Sequence, residues 1–262
     1  MSKNDTVIMI KGAGEMASAV ACSLYKAGFT RILMTELQRP LSISRQNCFS
    51  EAFFSLTKEI DGVKARSVKP LRPIIHSNWI DGYIAVLHDP TAESIAEVEP
   101  KIIIDARNIK EKPDTSMEDA ELVIGLGDVF TAGVNCHIAI PSSTWKTAEK
   151  DNVKHSKTAD TISIDNLNII KSNLDGFFTT DHKIGDSIQK DEVLANINEV
   201  GVKAPVKGII RSILRNKTAI TAGTKIAEID TQSSAVAAGI REKWIPVAEQ
   251  VLSEVLSLSS AE

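Results

Sequence analysis

Gly12, Gly14 and Ala17 stand at G-x-G-x-x-A spacing directly after the apolar run Val7-Ile8-Met9-Ile10, and Glu36 closes the next apolar run. Each residue type has a task in holding a phosphorylated ligand. A glycine at 12 permits a tight turn, one at 14 lets backbone approach a pyrophosphate, and the small Ala17 lets helix and strand pack closely. The N–H groups that open the helix, at Glu15 and Met16, would point at the anion. Glu36 is either the partner of a ribose hydroxyl or a solvated carboxylate at a strand end.

Four further places carry chemistry. Arg45 and Arg107 have the planar fork that matches phosphate oxygens, or they form structural salt bridges to Glu51 and Asp105. Gly125-Leu126-Gly127 is a second glycine turn after an apolar run. Cys136 precedes His137, and a thiolate is a soft metal ligand. Neighbours on a strand face opposite ways, so Cys136 would act singly, and the alternative is a buried, inert thiol.

These residues need strands and helices to place them. Met16 to Lys26 has helical apolar spacing with Gly28 at its C-terminal cap, and Ile32-Leu33-Met34 is the second strand. Ser44 to Ala52 leads into a short helical segment. Strands are expected at 63–68, 84–87, 101–105, 122–124 and 136–140, with a short helix at 91–98. Glu36, Asp105, Arg107 and Gly125-Leu126-Gly127 then share the carboxyl edge of a parallel sheet, where open α/β folds bind ligands. Residues 142–160 are polar and read as a linker.

Beyond the linker the pattern changes to short β-elements. Ile184-Gly185-Asp186-Ser187-Ile188 with Leu194-Ala195-Asn196-Ile197 makes one half, and Ala204-Pro205-Val206-Lys207-Gly208-Ile209-Ile210 opens a second. The halves resemble the hammerhead of biotinyl and lipoyl carriers. The connection Asn198 to Lys203 is too short for a carrier hairpin, so neither biotin nor lipoate is expected. Residues 234–258 read as helix divided by Pro246, with an apolar stripe at Val247, Val251, Leu252, Val255 and Leu256 that packs on the sheet domain.

The fold class expected is α/β: a Rossmann-like parallel sheet domain over 1–150, a smaller hammerhead-like β domain over 160–232, and a C-terminal helical segment over 233–262. Composition sets the remaining bounds. A net charge of −4 over 262 residues gives no basic footprint, so neither nucleic acid nor an anionic membrane is an expected partner. Three scattered cysteines and no leader-like pattern at the N-terminus suggest a reducing, cytoplasmic setting. No Walker loop, G-x-S-x-G elbow or metal-type histidine spacing is present in the sequence.

Taken together, Gly12-Ala13-Gly14-Glu15-Met16-Ala17-Ser18, Arg45 with Phe49-Ser50-Glu51-Ala52, Asp105-Ala106-Arg107, Val123-Ile124-Gly125-Leu126-Gly127 and Phe130 to His137 resemble the YqeB-type accessory proteins of the selenium-dependent molybdenum hydroxylase system. The chain departs from that pattern at Glu15, Ala19 and Asp128-Val129, and Pro141 to Lys146 lacks an Arg-Gly-His stretch. The resemblance implies a part in maturing a molybdenum hydroxylase. The ligand would be a small nucleotide-type molecule, NAD(P) or a molybdopterin nucleotide, held by Gly12, Gly14, Glu15, Met16, Ala17, Glu36, Arg45, Asp105, Arg107, Gly125 and Gly127, with Cys136 the candidate for metal. The β domain would dock the partner enzyme or form a homo-oligomer. Two other readings use the same residues: an NAD-dependent oxidoreductase, and a non-catalytic scaffold with a vestigial crevice.

Overall fold

The computed structural model describes residues 3–145, 153–154, 156–164, 166–232 and 238–260. The chain divides into two compact units, one of residues 1–40, 46–147 and 239–262, the other of 41–45 and 148–238.

The first unit is built on β1 (Val7–Lys11), α1 (Glu15–Lys26), β2 (Arg31–Glu36), α2 (Ala52–Ser55), β3 (Thr57–Ile60), β4 (Val63–Ser67), α3 (Arg72–Ile80), β5 (Ile84–His88), α4 (Ile95–Val98), β6 (Ile102–Asp105), β7 (Leu122–Leu126) and β8 (Ile138–Ile140). Its eight strands lie in the order β3-β4-β5-β2-β1-β6-β7-β8. Every pairing is parallel except the β3–β4 edge hairpin. The reason is visible in the residues: Ile8, Met9, Ile10, Ile32, Leu33, Met34, Ile102, Ile103 and Ile104 are all fully buried, as central strands covered on both faces require. The strand order runs outward from β1 in both directions, so the topological switch lies between β1 and β6.

The second unit contains β9 (Val153–Lys154), β10 (Ala159–Ile164), β11 (Leu167–Ser172), β12 (Gly176–Thr179), β13 (Ser187–Ile188), β14 (Val193–Ile197), β15 (Val200–Lys203), β16 (Gly208–Ile213), β17 (Thr218–Ile220) and β18 (Lys225–Asp230). They form a six-stranded sheet, β13-β16-β18-β11-β10-β9, and a four-stranded one, β15-β14-β12-β17. One apolar core, with Phe178, Leu194 and Ile220 from the smaller sheet and Ile188, Ile210 and Ile229 from the larger, holds them together. The chain returns to the first unit as α5 (Ile245–Ser260), whose Val247, Val251 and Val255 are buried in the same core as Val20, Ala21 and Leu24 of α1.

Several elements differ from the sequence reading: β3, β11 and β17 were not expected, and β8 begins at Ile138, after Cys136 and His137. The polar stretch 142–160 ends inside β10, which alternates apolar and polar residues and pairs in register with β11. Helix α3 begins beside Pro73, which the first turn tolerates because its N–H would have no intrahelical partner. The helix expected over 91–98 is one turn long. Pro246 does not divide a helix; it lies in the first turn of α5, and of the preceding stretch 233–237 lies outside the described residues.

Candidate functional site

The glycine turn follows β1 without a break. Gly12 donates its N–H to the Thr35 carbonyl at 2.7 Å, and Ala106 donates to the Lys11 carbonyl at 2.9 Å, which ties the ends of β1, β2 and β6 together. Gly12 has φ +103°, and a Cβ there would stand 3.3 Å from the Ala106 carbonyl oxygen. Both facts require glycine. Gly14 precedes α1 in extended backbone, φ −71° and ψ −172°, and makes no side-chain cap. The first-turn N–H groups of Glu15, Met16 and Ala17 therefore have no intrahelical acceptor and face outward from the helix start.

Glu36 reaches back to this turn. Its Oε2 accepts the Ala13 N–H at 3.0 Å and its Oε1 the Leu37 N–H at 2.8 Å. Burial pushes the Glu36 carboxyl above the usual carboxylate range, against the pull of those two N–H groups and of the Arg107 charge. The segment after β2 covers the other side of the turn: Ser50 donates its N–H to the Ala13 carbonyl, and Phe49 donates to Ser18 Oγ, itself bonded to the Gly14 carbonyl.

On the far side of Gly12 lies a charge cluster, buried at Lys11 and Asp105 and open to solvent at Asp114. Asp105, fully buried at the end of β6, takes Arg107 through two contacts, Nε to Oδ1 at 3.0 Å and Nη2 to Oδ2 at 2.5 Å, and accepts the Thr115 hydroxyl at 2.6 Å. Arg107 also pairs with Asp114. Lys11, the last residue of β1 and 2 % exposed, donates to Asp114 at 3.1 Å and to Thr115 at 2.8 Å. Burial works against the Arg107 charge, and the carboxylates of Asp105 and Asp114 more than offset it, holding the guanidinium above its ordinary range. Hydrogen bonding from Arg107, opposed in part by burial and aided by Lys11, lowers Asp114 from 3.8 to about 2.

Of the residues singled out from sequence, Gly12, Gly14, Met16, Ala17, Glu36, Asp105 and Arg107 thus lie at the carboxyl ends of β1, β2 and β6. Between the two readings of Arg107, the geometry is that of an ion pair with Asp105. Glu15 makes a bidentate ion pair with Arg241, both side chains nearly buried, so its carboxylate is directed to the segment before α5. Arg45 belongs to the second unit, where its Nε donates to the Ile213 carbonyl at 3.0 Å. Gly125 is buried in β7, and a Cβ there would fall 2.1 Å from the Phe130 ring, which is a packing reason for glycine; Gly127, at φ +127°, donates to the Ile140 carbonyl. Cys136 is fully buried beside Phe130, and burial pushes its thiol up; the exposed His137 instead accepts the Val123 N–H through Nδ1 at 3.0 Å. Among the described residues no group of three or more His, Cys, Asp or Glu is placed to hold a metal ion. Asp128, one of the departures in sequence, accepts both the N–H and the hydroxyl of Ser142.

Sequence reasoning missed Lys11, Asp114 and Thr115. The one available signal was Lys11 itself, a cation ending an otherwise apolar central strand, which demands a buried counter-charge.

These features define a mixed α/β protein with a large, mostly parallel sheet, a glycine turn and a partly buried ion-pair cluster at the strand ends, and a C-terminal helix. No family model matches the chain. It is similar to the uncharacterized protein YqeB of Escherichia coli (strain K12), 31 % identical over 238 residues, which is 86 % of this chain and 42 % of that protein. The chain therefore spans less than half the length of the curated relative it matches. Among the described residues no helix is long and apolar enough to cross a membrane.

Proposed function

We propose that this chain is a YqeB-type accessory protein that binds a nucleotide-bearing or phosphorylated cofactor at the strand ends of a Rossmann-like sheet. The observation that carries the reading is the turn Gly12-Ala13-Gly14 at the start of α1, with Glu36 bonded to it from the end of β2. Backbone N–H groups and the positive end of the helix suit a pyrophosphate, and the Glu36 carboxylate beside them suits ribose hydroxyls. The neighbouring ion-pair cluster keeps β1 and β6 in register and supplies a rigid floor.

In this reading the ligand is a molybdopterin nucleotide and the chain acts in maturing a molybdenum hydroxylase in the cytoplasm, as the sequence phrases shared with that accessory group suggest. The second unit docks the hydroxylase or a second copy of the chain. Neither biotin nor lipoate is expected on it, a reading supported by the place of Lys203 at the end of β15, paired with Val193, and by the two-residue turn Asn198-Glu199 that joins β14 and β15. The position of Glu36 equally suits the adenosine ribose of NAD(P), so an oxidoreductase is the rival.

Native mass spectrometry of the purified protein, then titration with NAD and with molybdopterin dinucleotide, separates the readings. Retained or tightly bound pterin nucleotide supports the accessory role. Binding of NAD with turnover transfers the site to the oxidoreductase, and binding of neither leaves a scaffold.

A further inference from the structure

The end of β5 lies beside the end of β2, and Glu36 and His88 are partners in the parallel register of those strands. Register partners on neighbouring strands turn their side chains to the same face of the sheet, about 5 Å apart. Two residues back, Met34 and Val86 lie in the apolar core shared with α1, so Glu36 and His88 belong to the face that α1 covers. His88 is therefore the next side chain along the strand ends from the carboxylate that is bonded to the glycine turn.

The His88 ring has a defined plane. Its imidazole stacks on the Phe53 ring, with centroids 3.6 Å apart and planes 20° from parallel. Phe53 is the inner ring, packed against that same core, and His88 is the outer one, exposed to solvent. Among the described residues the His88 ring nitrogens make no hydrogen bond, so the stack is the contact that sets the ring plane. Both rings are carried on anchored backbone. Phe53 follows the segment whose Phe49 and Ser50 N–H groups bond to Ser18 Oγ and the Ala13 carbonyl. Directly after His88, Asp89 donates its N–H to the Glu36 carbonyl at 3.1 Å, and its carboxylate accepts the N–H groups of Glu93 and Ser94.

We propose that the stacked pair His88 and Phe53 is a base subsite of the glycine-turn site, so that the ligand there is a nucleotide rather than a phosphorylated molecule without a base. The inference rests on the cofactor reading above and adds the part of the ligand that lies beyond the ribose. With the ribose at Glu36, the base extends over the neighbouring strand end, where the imidazole face turned away from Phe53 receives it as a third layer. Stacking uses the π-face that every base has, so the subsite takes a purine or a pyrimidine and selects for a base without selecting which.

The test is NMR titration of the full-length protein with ADP, with CDP and with inorganic pyrophosphate, which has neither ribose nor base. ADP and CDP should bind more tightly than pyrophosphate, and their base protons should show Overhauser contacts to the His88 ring protons, assigned by their loss from the spectrum of His88→Ala. His88→Ala should weaken ADP and CDP about tenfold more than it weakens pyrophosphate, and His88→Phe, which keeps a flat ring on Phe53, should restore most of that difference. ADP and CDP binding no tighter than pyrophosphate, or all three weakened alike by His88→Ala, would overturn the base subsite; pyrophosphate binding lost in Gly14→Val would in that case leave the glycine-turn reading standing. Binding of none of the three would overturn both.

Discussion

Two residues at the strand ends have opposite relations to their neighbours, and each can be tested alone. Gly12 adopts a backbone conformation that other residues reach only with strain, and it faces the Ala106 carbonyl. Gly12→Ala should cost about 1–3 kcal/mol of stability in denaturant unfolding. Asp114 is the reverse case, an acid favoured by its partners. Its pKa falls from 3.8 to about 2 on folding, so the ion pair stabilises above pH 3.8 and is lost as pH drops through 2. The stability gap between the wild type and Asp114→Asn should therefore be full near neutrality and close over that interval; a gap that stays constant with pH would contradict the pairing. Gly12 and Glu36 were legible as residues, because spacing alone marks a turn and a strand end. Asp114 and Thr115 were not, since they lie in an irregular segment and only the folded chain brings them to Lys11. Arg45 was legible as an anion-binding type of residue, but sequence gave no means of assigning it to the second unit.

At the scale of elements, the attachment of α5 rests on more than its apolar stripe. Glu15 opens α1 and holds Arg241 ahead of α5, while Asp61 accepts the Ile240 N–H at 3.1 Å. Arg241→Ala strands a carboxylate that is nearly buried and should cost about 3–5 kcal/mol. Glu15→Gln with Arg241→Met, which removes both charges, should recover most of that loss. The same cost for single and double variants would show that the pair is unimportant. The stripe Val247, Val251, Val255 was readable from its period, and so were the buried strands, whose apolar runs leave few alternatives. The start of α5, helix α3 and strand β10 were not. In the first two a proline looks like a boundary when it occupies a first turn, and in β10 alternation with threonine and serine imitates a polar linker.

At the scale of the whole molecule, two units divide the chemistry. The first gathers the end of β1, the start of α1, Glu36 and an ion-pair cluster that is itself charge-balanced, Lys11 and Arg107 against Asp105 and Asp114, with Glu36 as a further carboxyl group. A ligand's negative charge must then be met by backbone N–H groups and the helix end, because the arginine is engaged by two carboxylates. Sequence conveyed the strands of the parallel sheet, since β1, β2, β5, β6 and β7 read as apolar runs with intervening connections, but not their order in the sheet. It conveyed the second unit less well, because short antiparallel strands have weak individual patterns. In the proposed function the glycine turn receives a phosphorylated cofactor. Gly14 has a backbone conformation open to any residue, so Gly14→Val should preserve folding while placing a side chain where a pyrophosphate would lie. Calorimetric titration of wild type and folded Gly14→Val with molybdopterin dinucleotide and with NAD is the most direct measurement: the wild type should bind the pterin nucleotide and the variant should lose it, and binding of neither ligand, or binding unchanged by Gly14→Val, would contradict a cofactor site at this turn.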